Sequence, residues 1–185
     1  MNEALEALEA LNSASQINQV KHFSITRRIE IDAAHRVPDH GSKCRHVHGH
    51  RYVIEACVRG PLYLSGVQAG MVLDFGFLKD LMIKVIHDPC DHGIILYHND
   101  PVVDVMVKGK PLIPGFVGAL EQRADFPYLK MYLLDGPPTA EVLAAHWYKQ
   151  LRMEVHAFTQ GQASLEFLDV HETPNCVARY PHAHK

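Results

Sequence analysis

Between Cys44 and Tyr52 the chain reads Cys-Arg-His-Val-His-Gly-His-Arg-Tyr, which places three histidines and a cysteine within seven residues. Imidazole nitrogen and thiolate sulfur are ligands that divalent zinc prefers. His48 and His50 are two apart, so on an extended strand their rings leave the same face, with only Gly49 between them. Tyr52, Ile54, Ala56 and Val58 continue that parity, while Arg51, Glu55 and Arg59 occupy the other. The pair therefore points to the apolar side of a sheet, where unbound imidazoles carry a high desolvation cost. His35 closes an earlier run in which Phe23, Ile25, Ile29, Ile31, Ala33 and His35 share one parity. An antiparallel hairpin across the Val37–Lys43 loop would bring His35, His48 and His50 together on one buried face. Three protein nitrogens with an open fourth position is the pattern of a catalytic zinc site, since a structural site closes with a fourth protein ligand. Cys44 is either that rival ligand or a base beside the metal. The plain alternative is a set of core and surface histidines with no metal.

The elements that must hold these residues follow from periodicity and breakers. Residues 1–11 repeat Glu-Ala-Leu three times, a short helix with a narrow apolar edge, and 12–21 read as a linker. The two histidine-bearing strands follow, the second ending near Pro61. After a Gly- and Pro-containing connection, Met71-Val72-Leu73 reads as a short strand and Asp74 caps a helix. Leu78, Leu81, Met82, Val85 and Ile86 form that helix's apolar face, and it is predicted to end before Pro89. Residues 102–134 form an insertion rich in Pro, Gly and apolar residues, with a helical turn at Leu120–Arg123 and a strand over Tyr128–Leu134. A second helix begins after Pro137-Pro138, with Thr139 as N-cap and Glu141 in its first turn, and buries Ala140, Leu143, Ala144, Trp147 and Leu151. Ala163–Glu172 is a strand with Leu165 and Phe167 on one parity and Leu168, Val170 and Glu172 on the other. A carboxylate closing an apolar parity implies a partner or ligand for Glu172. Cys176–Tyr180 is the last strand. The chain thus divides into an extension (1–21), one domain (22–181) and a tail (182–185).

Composition narrows the class. At 185 residues, 47% hydrophobic and 21% charged, the chain has the balance of a globular protein with a sizeable core. A net charge of −3 gives no reason to expect nucleic acid or an anionic membrane as partner. Fourteen histidines are the compositional outlier, although most, such as His22, His40, His98 and His156, show no ligand spacing. The four cysteines do not suggest a disulfide framework, and no leader or apolar span is visible, so the expected location is the cytoplasm.

Ala33-Ala34-His35-Arg36, followed by Cys44-Arg45-x-x-His48-Gly49-His50-x-Tyr52, resembles the signature of the 6-pyruvoyltetrahydropterin synthase / 6-carboxytetrahydropterin synthase (QueD) family. Later segments fall in the family's order: Asp91-His92, Pro138-Thr139-x-Glu141 and Glu172-Thr173. The short Cys-x-x-x-His-Gly-His spacing is similar to that of the bacterial QueD branch. The resemblance does not reach residues 1–11, and 102–134 depart from it.

The resemblance implies an α+β tunnelling fold, an antiparallel four-stranded sheet with two helices on one face, closed into a barrel by oligomerisation into a homohexamer of two trimers. It implies Zn2+ on His35, His48 and His50, and a small pterin triphosphate as substrate. Catalysis would use Cys44 as base, with His92 and Asp91 acting on the cysteine of an adjacent subunit. Glu172 would anchor the pterin, with Thr139 and Glu141 nearby. The implied reaction is a lyase step from 7,8-dihydroneopterin triphosphate to 6-carboxy-5,6,7,8-tetrahydropterin, releasing acetaldehyde and triphosphate on the way to queuosine. The alternatives are the pyruvoyl reaction, which keeps all three side-chain carbons, and a non-catalytic zinc-binding member. Lys43, Arg45 and Arg179 are candidate phosphate contacts.

Overall fold

A computed structural model of the protein describes residues 21–106 and 130–182. The two apolar-alternating runs form the long hairpin expected of them, β1 (His22–His35) against β2 (His48–Pro61). Their antiparallel register sets Ile31 opposite Tyr52, Ala33 opposite His50 and His35 opposite His48. Alternation then sends Ile29, Ile31, Tyr52, Ile54, Ala56 and Val58 to one buried face.

The chain continues through α1 (Phe75–Met82), a wide π turn at Ile83–His87 and a last helical turn at Asp88–Cys90. There follow β3 (Gly93–Tyr97), a short α2 (Pro101–Met106), β4 (Met131–Leu134), α3 (Ala140–Phe158), β5 (Ser164–Thr173) and β6 (Cys176–Tyr180). The strands make one sheet in the order β4-β3-β1-β2-β5-β6. The expectation of four antiparallel strands is therefore corrected to a six-stranded mixed sheet. β1, β2, β5 and β6 are the antiparallel four, and β3 and β4 extend the β1 edge in parallel. Ile94-Ile95-Leu96 and Met131–Leu134 are short and apolar on both parities. Such strands pair in parallel where both sheet faces are covered.

Both faces are covered there. Ile95, Tyr132 and Leu134 join the main core, which α1, the π turn and α3 close with Leu78, Met82, Ile86, Leu143, Trp147, Leu151 and Val155. Ile94, Leu96, Met131 and Leu133 face the other way, against Val103 of α2. The two longer helices thus lie on one face as expected, while α2 adds a small layer on the other.

The caps form where the residue types place them. Phe77 N–H donates to Asp74 Oδ1 at 2.9 Å, and Val142 N–H donates to Thr139 Oγ1 at 3.4 Å. Four local readings are corrected. Met71–Leu73 is not a strand: Val72 and Leu73 are buried, but Met71 O accepts from Tyr63 N–H within a loop. The first helix passes Pro89, because the π turn widens the spacing in which a proline ring would otherwise clash with the preceding turn. In β5 a bulge opposite Cys57 and Val58 resets the alternation, so Leu165 and Leu168 both reach the core and Phe167 faces away. The reading of 102–134 is changed at its start, where α2 forms, and its strand is Met131–Leu134. The Glu-Ala-Leu repeat and the Leu120–Arg123 turn lie outside the described residues. Among the described residues, no helix is long and apolar enough to cross a membrane.

Leu151 is fully buried in α3, whereas Met153 on the same helix is 74% exposed. Leu151→Ala should cost about 2–5 kcal/mol of unfolding free energy. Met153→Ala should stay within about 0.5 kcal/mol of wild type. Urea unfolding measures both.

Candidate metal centre and adjoining cavity

The register of the hairpin builds the centre. His35 and His48 are cross-strand partners at its closed end, and His50 lies one pleat further along the same face. Gly49 lets the strands approach: a Cβ there would come within 3.2 Å of the Ala33 carbonyl oxygen. Ring nitrogens of the three histidines lie within 4.8 Å of one another. The rings make tilted or edge contacts at 4.5–5.2 Å between centroids. Tyr52, wholly buried, supports them from beneath with edge contacts to His35 at 5.7 Å and His50 at 5.6 Å. Burial drives its hydroxyl far above the ordinary range, helped by Glu172 and Cys44, so it stays neutral.

The outer nitrogens show how the rings are meant to be used. His35 Nδ1 lies 2.8 Å from the Pro138 carbonyl oxygen, and His48 Nδ1 lies 2.8 Å from that of His46. A carbonyl only accepts, so both Nδ1 atoms carry the hydrogen and both Nε2 atoms of the neutral rings offer lone pairs. Those two Nε2 atoms sit 3.2 Å apart, facing each other with no hydrogen to share. His50 Nε2 is shut off from solvent and has no hydrogen-bond partner among the described residues. A cation relieves this arrangement, and it is either a proton or a metal ion. Burial, the largest influence on both His35 and His50, holds their imidazoles below 6.5 and so disfavours the proton. The donor set fits a divalent metal such as zinc, with backbone carbonyls orienting two of the ligands.

Beside this cluster is a cavity of about 200 Å³ lined by His35, Cys44, Thr139, Glu141, Glu172 and Cys176, among others. Five residues expected at the site from the sequence, drawn from four separate segments, therefore share one space. Cys44 enters from the 3-10 turn Lys43–Arg45, whose base is tied by Val37 N–H donating to the Cys44 carbonyl at 2.9 Å. Glu172 comes from the end of β5, with Oε1 3.5 Å from His35 Nε2 and 3.9 Å from His50 Nε2. It also borders a larger concavity of about 690 Å³ with Gly49, His50 and Arg51.

Asp91 and His92 are not among the residues lining the smaller cavity. They sit just before β3, where His92 adopts a left-handed backbone (φ 56°) with its side chain 79% exposed. Asp91 Oδ1 accepts from Asp32 N–H at 2.9 Å and Oδ2 accepts from His92 Nδ1 at 2.7 Å, which turns the ring's Nε2 outward. Burial works to raise the Asp91 carboxyl, but those two hydrogen bonds and the nearby His92 and His87 outweigh it and hold it low. Arg179 is engaged elsewhere: it grips Asp169 through two 2.7 Å hydrogen bonds and stacks on Phe167.

Two participants had no distinct sequence signal. The Pro138 carbonyl reaches His35 across 103 residues; the rigid Pro-Pro before the N-cap was its one hint. Cys176 enters the cavity because β6 turns back along β5.

The model of the family described as 6-pyruvoyl tetrahydropterin synthase matches residues 24–183. The chain belongs to that family. Among curated members, a Rickettsia conorii protein named 6-carboxy-5,6,7,8-tetrahydropterin synthase is 34% identical over 151 residues, covering 82% of this chain and 94% of its own. Among solved structures, an uncharacterized protein from Wolinella succinogenes aligns with a TM-score of 0.68 at 19% identity, over 86% of this chain and 97% of that one. The 6-pyruvoyl tetrahydropterin synthase of Caenorhabditis elegans aligns with a TM-score of 0.56 at 20% identity, over 89% and 98%. These likenesses place the fold among those of the pterin synthase family.

His48→Ala should lower bound metal from about one ion per chain to near none, measured by elemental analysis after dialysis. Protons compete with metal for the same lone pairs. With His35 and His50 held below 6.5, metal should be retained at neutral pH and released as pH falls below 6.5. Fold stability should fall in the same direction, because the unfolded chain takes up protons there first. Release on raising the pH through neutrality would contradict this.

Proposed function

We propose that the chain is a zinc-dependent 6-carboxy-5,6,7,8-tetrahydropterin synthase, a lyase acting on 7,8-dihydroneopterin triphosphate. The observation that carries this reading is the shared cavity of His35, Cys44, Thr139, Glu141 and Glu172 beside the three-histidine cluster. Metal binding by itself requires none of the last four, which weighs against a non-catalytic zinc protein. The name of the Rickettsia conorii relative and the short Cys44-to-His48 spacing favour the carboxy product over the pyruvoyl one.

His35, His48 and His50 would hold the zinc, which when bound supplies Lewis-acid polarisation to side-chain oxygens of the substrate. Cys44 takes a proton from the three-carbon side chain through Sγ, a base close to the carbon acid. Glu172 accepts hydrogen bonds from the pterin amino and ring N–H groups, so the reacting carbons are placed by the far end of the molecule. Thr139 and Glu141 lie along the same wall, with Thr139 also serving as the α3 cap. Triphosphate is eliminated from the side chain, and a water then adds to the carbonyl carbon next to the ring; the bond from that carbon to the next breaks, leaving the carboxylate on the pterin and releasing the other two carbons as acetaldehyde.

Asp91 and His92 take part by way of a second copy of the chain. Their hydrogen bond orients an exposed ring whose Nε2 points outward, as a group serving a neighbour's Cys44 would. A hexamer built from two trimers, with the outer strands β4 and β6 pairing between copies, suits a sheet whose end strands would otherwise leave backbone groups open. The cytoplasm suits such an enzyme.

Incubation of the pure protein with dihydroneopterin triphosphate and mass analysis of the products should give acetaldehyde and a carboxylated pterin. A pyruvoyl pterin would assign the other reaction. Cys44→Ala should keep its metal yet lose about 10²-fold or more in turnover. Full activity in that variant would remove Cys44 as the base. His92→Ala should also lose activity while keeping metal, and mixing it with Cys44→Ala subunits should restore part of the rate if the two residues meet across an interface.

A further inference from the structure

The alternation that sends Glu172 toward the three histidines sends its neighbour His171 to the opposite face of the sheet. There, β2 and β5 are paired with Glu55 opposite Asp169 and Val53 opposite His171. Glu55, Asp169 and His171 consequently converge, each offering a ligand atom within 4.8 Å of the other two. From this convergence we propose a second divalent-cation site, held by Glu55, Asp169 and His171 on the sheet face away from the helices.

Four observations support it. Among the described residues, His171 Nε2 is closed to solvent and has no hydrogen-bond partner, although two carboxylates stand beside the ring. A buried ring nitrogen left in this way carries a desolvation cost that an ion would relieve. Asp169, 5% exposed, is held rigidly by the bidentate Arg179, which uses one lone pair on each oxygen and leaves the others available. Arg179 in turn is fixed over the Phe167 ring at 3.6 Å, so the carboxylate is oriented by a second layer of contacts, as ligating carboxylates usually are.

The local charge also suits a cation. Arg179 offsets one of the two carboxylates. The other arginines bordering the adjoining concavity are already engaged, Arg28 with Glu30 at 2.9 Å and Arg51 with Asp32 at 2.9 Å. Arg28, the cross-strand partner of Glu55, directs its short ion pair to Glu30 instead. One imidazole with two carboxylates selects a first-row divalent ion, of which Mn2+ and Zn2+ are suitable probes. Three protein ligands leave open positions toward a concavity of about 690 Å³.

The inference is independent of the reaction assigned above. The full-length protein, loaded with Mn2+ or Zn2+ and dialysed, should hold two ions per chain by elemental analysis. His48→Ala should hold one. His171→Ala and the near-isosteric Glu55→Gln should each hold one as well, with the Mn2+ resonance spectrum of the remaining ion matching the three-histidine centre. A wild-type count of one that His48→Ala abolishes, or of two that survives both His171→Ala and Glu55→Gln, overturns the second site. A count that falls with Glu55→Gln but not with His48→Ala would instead overturn the three-histidine centre and leave this one standing. Circular dichroism establishes that each variant is folded, and Glu55→Gln carries the test should His171→Ala fail to fold.

Discussion

The structure turns on the β1–β2 register. A strand's side chains alternate with period two, so pairing His35 with His48 commits every residue of both strands to a face. A slip by one residue would move His48, His50 and Tyr52 toward solvent and bring Arg51 and Glu55 against the helices. Ile29, Ile31, Ile54, Ala56 and Val58, all buried, are the penalty against such a slip. The core and the metal centre are therefore specified together. Hydrophobic burial along some ten residues of strand holds three polar rings in a place they would not occupy by themselves.

Those rings sit at the hairpin's closed end, and what surrounds them arrives from elsewhere. The α3 N-terminus contributes twice, through the Thr139 cap that begins the helix and the Pro138 carbonyl that fixes the His35 ring. Helix initiation and ligand orientation are in this way one local structure. The ion pair of half-buried Arg36 with buried Asp100, 3.0 Å apart, anchors the residue after His35 to the corner preceding α2. Asp100 also caps α2 through Val102 N–H at 3.0 Å. The parallel strands β3 and β4 support the same end of β1, since β3 pairs with Ala33, Ala34 and His35. The extension of the sheet beyond four strands thus bears directly on the metal-facing end of β1.

Two faces of one sheet give the molecule two chemistries. Toward the helices are imidazoles, two thiols and two carboxylates around a small cavity; away from them are ion pairs and the Glu55, Asp169 and His171 cluster. The alternation at His171 and Glu172 sends one side chain to each cluster, and both residues border the concavity of about 690 Å³ at the sheet's end.

Much of this was legible in the residues. Strand parity located the histidine cluster, the caps at Asp74 and Thr139 were readable from residue type, and Glu172 stood out as a carboxylate ending an apolar run. These are short-range properties, set by backbone periodicity and by hydrogen bonds a few residues away. The convergence of Cys44, Thr139, Glu141, Glu172 and Cys176 on one cavity was not readable from spacing, because their separation along the chain says nothing of which elements are neighbours. Nor was the β5 bulge, which depends on how two strands compensate for each other's length. The parallel pairing of β3 and β4 needed a covered second face, and among the described residues α2, folded back across it, provides one. Local pattern determines what each segment can become and which side of it is apolar. Which apolar sides meet, and so which polar groups are carried into the same space, is decided by the packing of the whole chain.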